Sequence, residues 1–159
     1  MKVNEFVEQY KKCDKDGKDA MLKQVLTTQY VSYAIKIADC KRILDSTCYT
    51  NTKPNMFSIN SPAREMLLKL QMIDRYTDLE IEFNEALDTY DMLDEAGALE
   101  DLLGAIPFRE VVNYDHIMKI MLKDFKMNER SMVGYLDSKM ASLGIIGETL
   151  NNLIEDMSV

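Results

Sequence analysis

The stretch that decides the fold opens with Val111-Val112-Asn113-Tyr114-Asp115-His116-Ile117-Met118 and closes with Leu150-Asn151-Asn152-Leu153-Ile154-Glu155-Asp156-Met157. Steps of four and three from Val111 land on Asp115, Met118, Leu122, Phe125, Glu129, Met132, Leu136, Lys139, Leu143, Ile146, Leu150, Leu153 and Met157, and 11 of these 14 positions are apolar. A 3.5-residue period held this long is the pattern of one helix packing along another. As one helix, residues 107–157 would run roughly 75 Å at about 1.5 Å per residue, longer than a domain of this size is wide. The segment is therefore either a long helix that pairs with another chain or a hairpin broken near Gly144 and Gly147.

The rest of the chain reads as shorter helices. Phe6, Val7 and Tyr10 set a first one, ended by the polar turn Cys13–Gly17, and a second covers Asp19 to Leu26. Tyr30, Tyr33, Ile37, Cys40, Ile43 and Leu44 keep helical spacing, which predicts a helix over Val31–Ser46. Residues 47–60 lack that period, hold Thr, Asn, Ser and Pro, and suit a loop with a short β-hairpin. Ser61-Pro62 reads as a hydroxyl cap followed by proline at the first helical position, with Met66, Leu67, Leu70, Ile73 and Tyr76 facing a core. Leu79, Ile81 and Phe83 alternate with acids, so Thr77–Phe83 is either a strand or a helix end. An acidic helix, Asn84–Ala96, ends at Gly97; a short one, Ala98–Leu103, follows; Pro107 opens the last. The fold class is all-α: one helical domain, with a bundle of short helices over 1–106 and the heptad segment over 107–157.

Charge narrows the function. The net charge is -8, so phosphate-driven nucleic-acid binding is not expected. Residues 61–110 hold 13 acids against 4 bases, nearly all of the excess. Asp88, Asp91, Asp94 and Glu95 share one helix face and suit either solvent or a basic protein partner. Twelve methionines, among them Met118, Met121, Met127, Met132 and Met140 in the last segment, fill cores or adaptable interfaces. The residues expected to contact a partner are Asp88, Asp91, Asp94, Glu95, Met118, Met132, Leu136, Leu143, Ile146 and Leu150.

Chemistry is thinly supplied. His116 is the only histidine, so neither a hydrolytic triad nor a multi-histidine metal site is expected. Asp14–Asp19 resembles a calcium loop, but its glycine is fourth rather than sixth and the twelfth position is Val25. Gly144-Ile145-Ile146-Gly147 matches only the bare outline of a phosphate-clamping loop, with an apolar middle that suits helix packing. Cys13, Cys40 and Cys48 lack metal or redox spacing and read as reduced thiols. No catalytic, cofactor-binding or metal residues are expected. Met1–Lys12 has no secretory apolar core, and no run approaches the ~18 apolar residues of a membrane span.

Four stretches taken together, Gln29–Cys40 (QYVSYAIKIADC), Ile59–Arg64 (INSPAR), Tyr76–Glu82 (YTDLEIE) and Asn128–Met132 (NERSM), resemble small helical proteins encoded by bacteriophages and prophages of Gram-positive bacteria. The resemblance implies a setting, the cytoplasm of an infected host cell or a virion, and carries over no active residues. The expected function is non-enzymatic protein–protein interaction, as a phage assembly or virion component such as a tail-assembly chaperone. The alternative is an acidic inhibitor of a host defence protein. The expected partners are proteins, a second copy of the chain among them, and neither nucleic acid nor membrane.

Overall fold

The computed structural model describes residues 1–50 and 57–127. The chain divides into two compact units, Met1–Met121 and Leu122–Val159; of the second, only the helical residues 122–127 are described. The fold is all-helical apart from one small strand pair. Its helices are α1 Val3–Tyr10, α2 Lys15–Val25, α3 Tyr33–Thr47, α4 Ser61–Tyr76, α5 Ala86–Glu95 and α6 Ala98–Ala105, followed by α7, residues 108–127. A 3₁₀ turn, Phe83–Glu85, leads into α5. None of the described helices is long and apolar enough to cross a membrane.

Local chemistry sets where these helices begin. Asp14 accepts a hydrogen bond from the Gly17 N–H at 2.9 Å, so α2 starts at Lys15. Most of the stretch that reads as a turn is thus the first turn of a helix, because a carboxylate cap satisfies an otherwise orphaned amide. Ser32 caps α3 by accepting from the Ile35 N–H. At α4 the cap is Asn60 rather than Ser61, with 3.1 Å from its side-chain oxygen to the Ala63 nitrogen. Pro62 falls in the first turn, where its missing N–H costs nothing. Gly97 ends α5 with φ +67°, a left-handed backbone that favours glycine.

The hairpin expected within residues 47–60 is present as two three-residue antiparallel strands, β1 Cys48–Thr50 and β2 Phe57–Ile59, with Cys48 opposite Ile59. Thr77–Glu82 is extended rather than helical. Thr77 bridges Leu26, Glu80 bridges Lys2, and Leu79 is buried between exposed Asp78 and Glu80.

The main apolar core joins α1, α2, α4, α5 and α6 through Phe6, Val7, Val25, Leu70, Ile73, Leu93, Leu99 and Leu102. Two sequence expectations shift here. On α3 the inward line is Lys36, Asp39, Cys40, Ile43 and Leu44, whereas Tyr30, Tyr33 and Ile37 are exposed. On α7 the inward line is Glu110, Tyr114, Ile117 and Met118, so the heptad line runs along its edge, with Val111 half-buried and Asp115 exposed. Both shifts share a cause: charged groups on α3 and α7 meet each other and go inside. The first compact unit takes in α7 as far as Met121 and does not stop at Pro107.

Candidate functional site

The acidic face expected from the sequence is assembled on α5. Ala86, Thr89 and Leu93 turn inward, which leaves Asp88, Asp91, Asp94 and Glu95 all exposed. Leu87 stands among them at 61% exposure. Glu95 faces Lys11 at 3.8 Å across an exposed pair, a geometry worth little in water. Among the described residues, no cation pairs with Asp88, Asp91 or Asp94. Asp94 and Glu95 also sit at the C-terminal end of the helix, where the backbone dipole disfavours negative charge, and α5 has no basic residue in its last turn. Asp94 and Glu95 therefore work against the stability of their own helix, whereas Asp88, in its first turn, favours it.

A second constellation was not anticipated from the sequence. Lys36 of α3 and Glu110 of α7, 1% and 4% exposed, form an ion pair with Nζ 2.7 Å from Oε2. The same carboxylate oxygen accepts from the Tyr76 hydroxyl and from the Val31 N–H at 3.1 Å. Alongside it, Asp39 receives Arg75 through two bonds of 2.9 and 2.8 Å and the Tyr114 hydroxyl at 2.9 Å. Arg42 donates to Gln71, and Tyr76 meets Tyr114 edge-on at 6.4 Å between ring centres. Lys36 also lies 5.3 Å from the Tyr30 ring centre, within cation–π range.

Burial alone would raise the Glu110 pKa, but the Lys36 and Tyr76 hydrogen bonds and the Val31 amide outweigh it and hold the carboxyl below its usual range. Burial and Glu110 push the Tyr76 phenol well up; burial and Asp39 do the same to Tyr114. Both phenols therefore stay protonated donors at neutral pH. Burial together with neighbouring Asp39 also lifts the Cys40 thiol to about 12, far from the thiolate form. Each buried charge in the network has its counter-charge and each phenol its acceptor. The arrangement joins α3, α4 and α7; it does not present a reactive group. Its one sequence signal was the i, i+3, i+7 line Lys36, Asp39, Ile43, in which charge interrupts an apolar spacing.

The remaining sequence candidates fall elsewhere. Met118 is 4% exposed and belongs to the interior of the first unit. Met132, Leu136, Leu143, Ile146 and Leu150 lie outside the described residues, as do the Gly144–Gly147 break and the further course of the heptad segment. His116 and Asp115 are exposed on α7, Asp115 paired with Lys119 at 2.6 Å. Phe108, Val112 and Ile120 are exposed on the same helix at 82%, 44% and 42%. Among the described residues, no group of three or more His, Cys, Asp or Glu side chains is placed to hold a metal ion.

The chain matches no protein-family model, and neither curated proteins nor solved structures show significant similarity to it.

Proposed function

We propose that this chain is a non-enzymatic binding protein that docks a basic protein surface through the outer face of α5. One observation carries the reading: three carboxylates, Asp88, Asp91 and Asp94, stand around exposed Leu87 with no cation paired to them among the described residues. A surface whose last-turn carboxylates oppose the helix dipole, and which lacks counter-charges among the described residues, gains most from a partner that supplies them. The apolar side chain in its midst adds area that water leaves on docking. With the setting implied by the phage resemblance, the protein acts in the cytoplasm of an infected bacterium as an acidic inhibitor that occupies a basic surface of a host protein.

The test is a comparison on immobilised protein, using host cytoplasmic extract. Wild type retains a basic host protein that elutes as salt rises, because exposed charge pairs are screened over ~10 Å at 0.1 M ionic strength. The variant Asp88→Lys/Asp91→Lys/Asp94→Lys/Glu95→Lys keeps its helical circular dichroism and retains nothing. Equal retention of the same protein by both would refute the reading.

A second reading, an assembly or virion component such as a tail-assembly chaperone, is favoured by the exposed apolar line Phe108, Val112 and Ile120 on α7. Scattered exposed apolar residues are ordinary, but three at steps of four and eight form a stripe on one helix face. That reading requires self-association or affinity for virion proteins. A strict monomer by light scattering that ignores virion proteins counts against it.

A further inference from the structure

The shallow groove between α2 and α6 offers about 430 Å³ of space. Its floor is apolar: Leu22 and Leu26 from the α2 side are half-buried and face Gly104 of α6. Gly104 keeps the groove open, since a Cβ built there meets nothing within 4 Å. The rim is acidic, with Asp19 on one side and Glu100 and Asp101 on the other; Lys23 is the single cation of the lining.

The carboxylates differ in how far they are already engaged. Glu100 accepts from Lys69 at 3.1 Å. Asp101 accepts the Tyr10 hydroxyl on one oxygen, which anchors the carboxylate, and its other oxygen has no hydrogen-bond partner among the described residues. Asp19 makes no ion pair among the described residues. Of the lysines close by, Lys69 is held by Glu100, and Lys18 lies 4.6 Å from the Tyr10 ring centre. Asp19 of α2 and Asp101 of α6 thus line an apolar slot in which Lys23, the one cation of the lining, makes no ion pair with either of them among the described residues.

We infer that this groove is the socket for an arginine side chain on the basic protein partner, an inference that rests on the reading of the chain as a binder of basic proteins. The aliphatic stem of an arginine lies on Leu22 and Leu26, as long cationic side chains cover apolar surface. Its guanidinium, a planar fork of five donors, bridges Asp19 and the free oxygen of Asp101, which a point-like ammonium does less well. The groove holds one such side chain with its neighbouring backbone, so the contact is an anchor within a larger interface.

The probe is a hexa-arginine peptide titrated into the isotope-labelled full chain at physiological ionic strength, with hexa-citrulline as its uncharged counterpart. Binding of hexa-arginine moves the amide resonances of Leu22, Leu26, Gly104 and Ala105, and hexa-citrulline moves none. Gly104→Leu fills the slot and weakens peptide binding about tenfold or more. Leucine at this helical position meets open space and has higher helix propensity than glycine, so the variant stays folded. Unchanged affinity in Gly104→Leu, or shifts confined to Asp88, Asp91 and Asp94, overturns the socket and leaves the acidic-surface reading standing. Equal binding of hexa-citrulline also overturns the socket, because recognition by charge is then gone. No binding of hexa-arginine anywhere overturns both.

Discussion

Helix α4 packs two unlike neighbourhoods. On one side Leu70 and Ile73 enter the apolar core shared with α1, α2, α5 and α6. On the other, Gln71, Arg75 and Tyr76 enter a network of charges and phenols shared with α3 and α7. The apolar side is stabilised by area removed from water, about 25 cal/mol per Å², with weak demands on direction. The polar side demands direction: Lys36, Glu110 and Asp39 are tolerable inside only because their partners, half-exposed Arg75 among them, stand within a few ångströms. One side of α4 supplies stability, and the other selects the single arrangement of α3 and α7 in which buried charge is neutralised.

Three measurements break or sharpen that contrast. The largest effect is expected from Glu110→Ala, which strands the buried Lys36 ammonium, the Tyr76 hydroxyl and the Val31 amide. Removing one member of a buried pair costs about 3–5 kcal/mol, read as a lower urea midpoint. A loss below ~1 kcal/mol means the network is not sealed from water. The double variant Lys36→Met/Glu110→Leu separates stability from geometry. It returns to near wild-type stability or above, since a buried ion pair is often matched by apolar residues of similar size.

Next comes Leu99→Ala in α6, a fully buried core position. Loss of transfer energy plus the cavity left behind costs roughly 2–5 kcal/mol. If it costs less than Glu110→Ala while Lys36→Met/Glu110→Leu is neutral, the two sides of α4 differ as argued. If Leu99→Ala is neutral, the apolar side does not carry the stability assigned to it.

The smallest effect is that of acid. The folded state holds the Glu110 pKa below its ordinary value, so Glu110 contributes stability that is fully present above the unfolded carboxyl pKa, about 4.3. That contribution is lost as pH falls through the lower folded value. Thermal unfolding of wild type should therefore weaken more steeply below about pH 4.3 than that of Lys36→Met/Glu110→Leu. Parallel profiles for the two proteins would exclude Glu110 as the source.

Several helices were legible because their signals are local. Phe6, Val7 and Tyr10 mark the buried face of α1 by spacing alone, and Gly97 closes α5 because few other residues accept its positive φ. The acidic face was legible for the same reason: once Ala86, Thr89 and Leu93 turn inward, Asp88, Asp91 and Asp94 must turn outward. The faces of α3 and α7 were not. Tyr33 and Ile37 keep the apolar spacing and are exposed, whereas Lys36 and Asp39, off that line, are buried. The groove between α2 and α6 was equally hidden, since Asp19 and Asp101 are far apart in the chain and only packing brings their helices together.

From the order of its residues alone, this protein's helical class, the glycine that closes α5, its excess of negative charge and the outward side of α5 were determined. All of these follow from interactions within a turn or two of helix. Which face of α3 and α7 goes inside was decided only in three dimensions. A charge can enter an apolar interior when its counter-charge waits there, and Lys36 and Glu110 stand 74 positions apart, coming to within 2.7 Å only once the helices have packed.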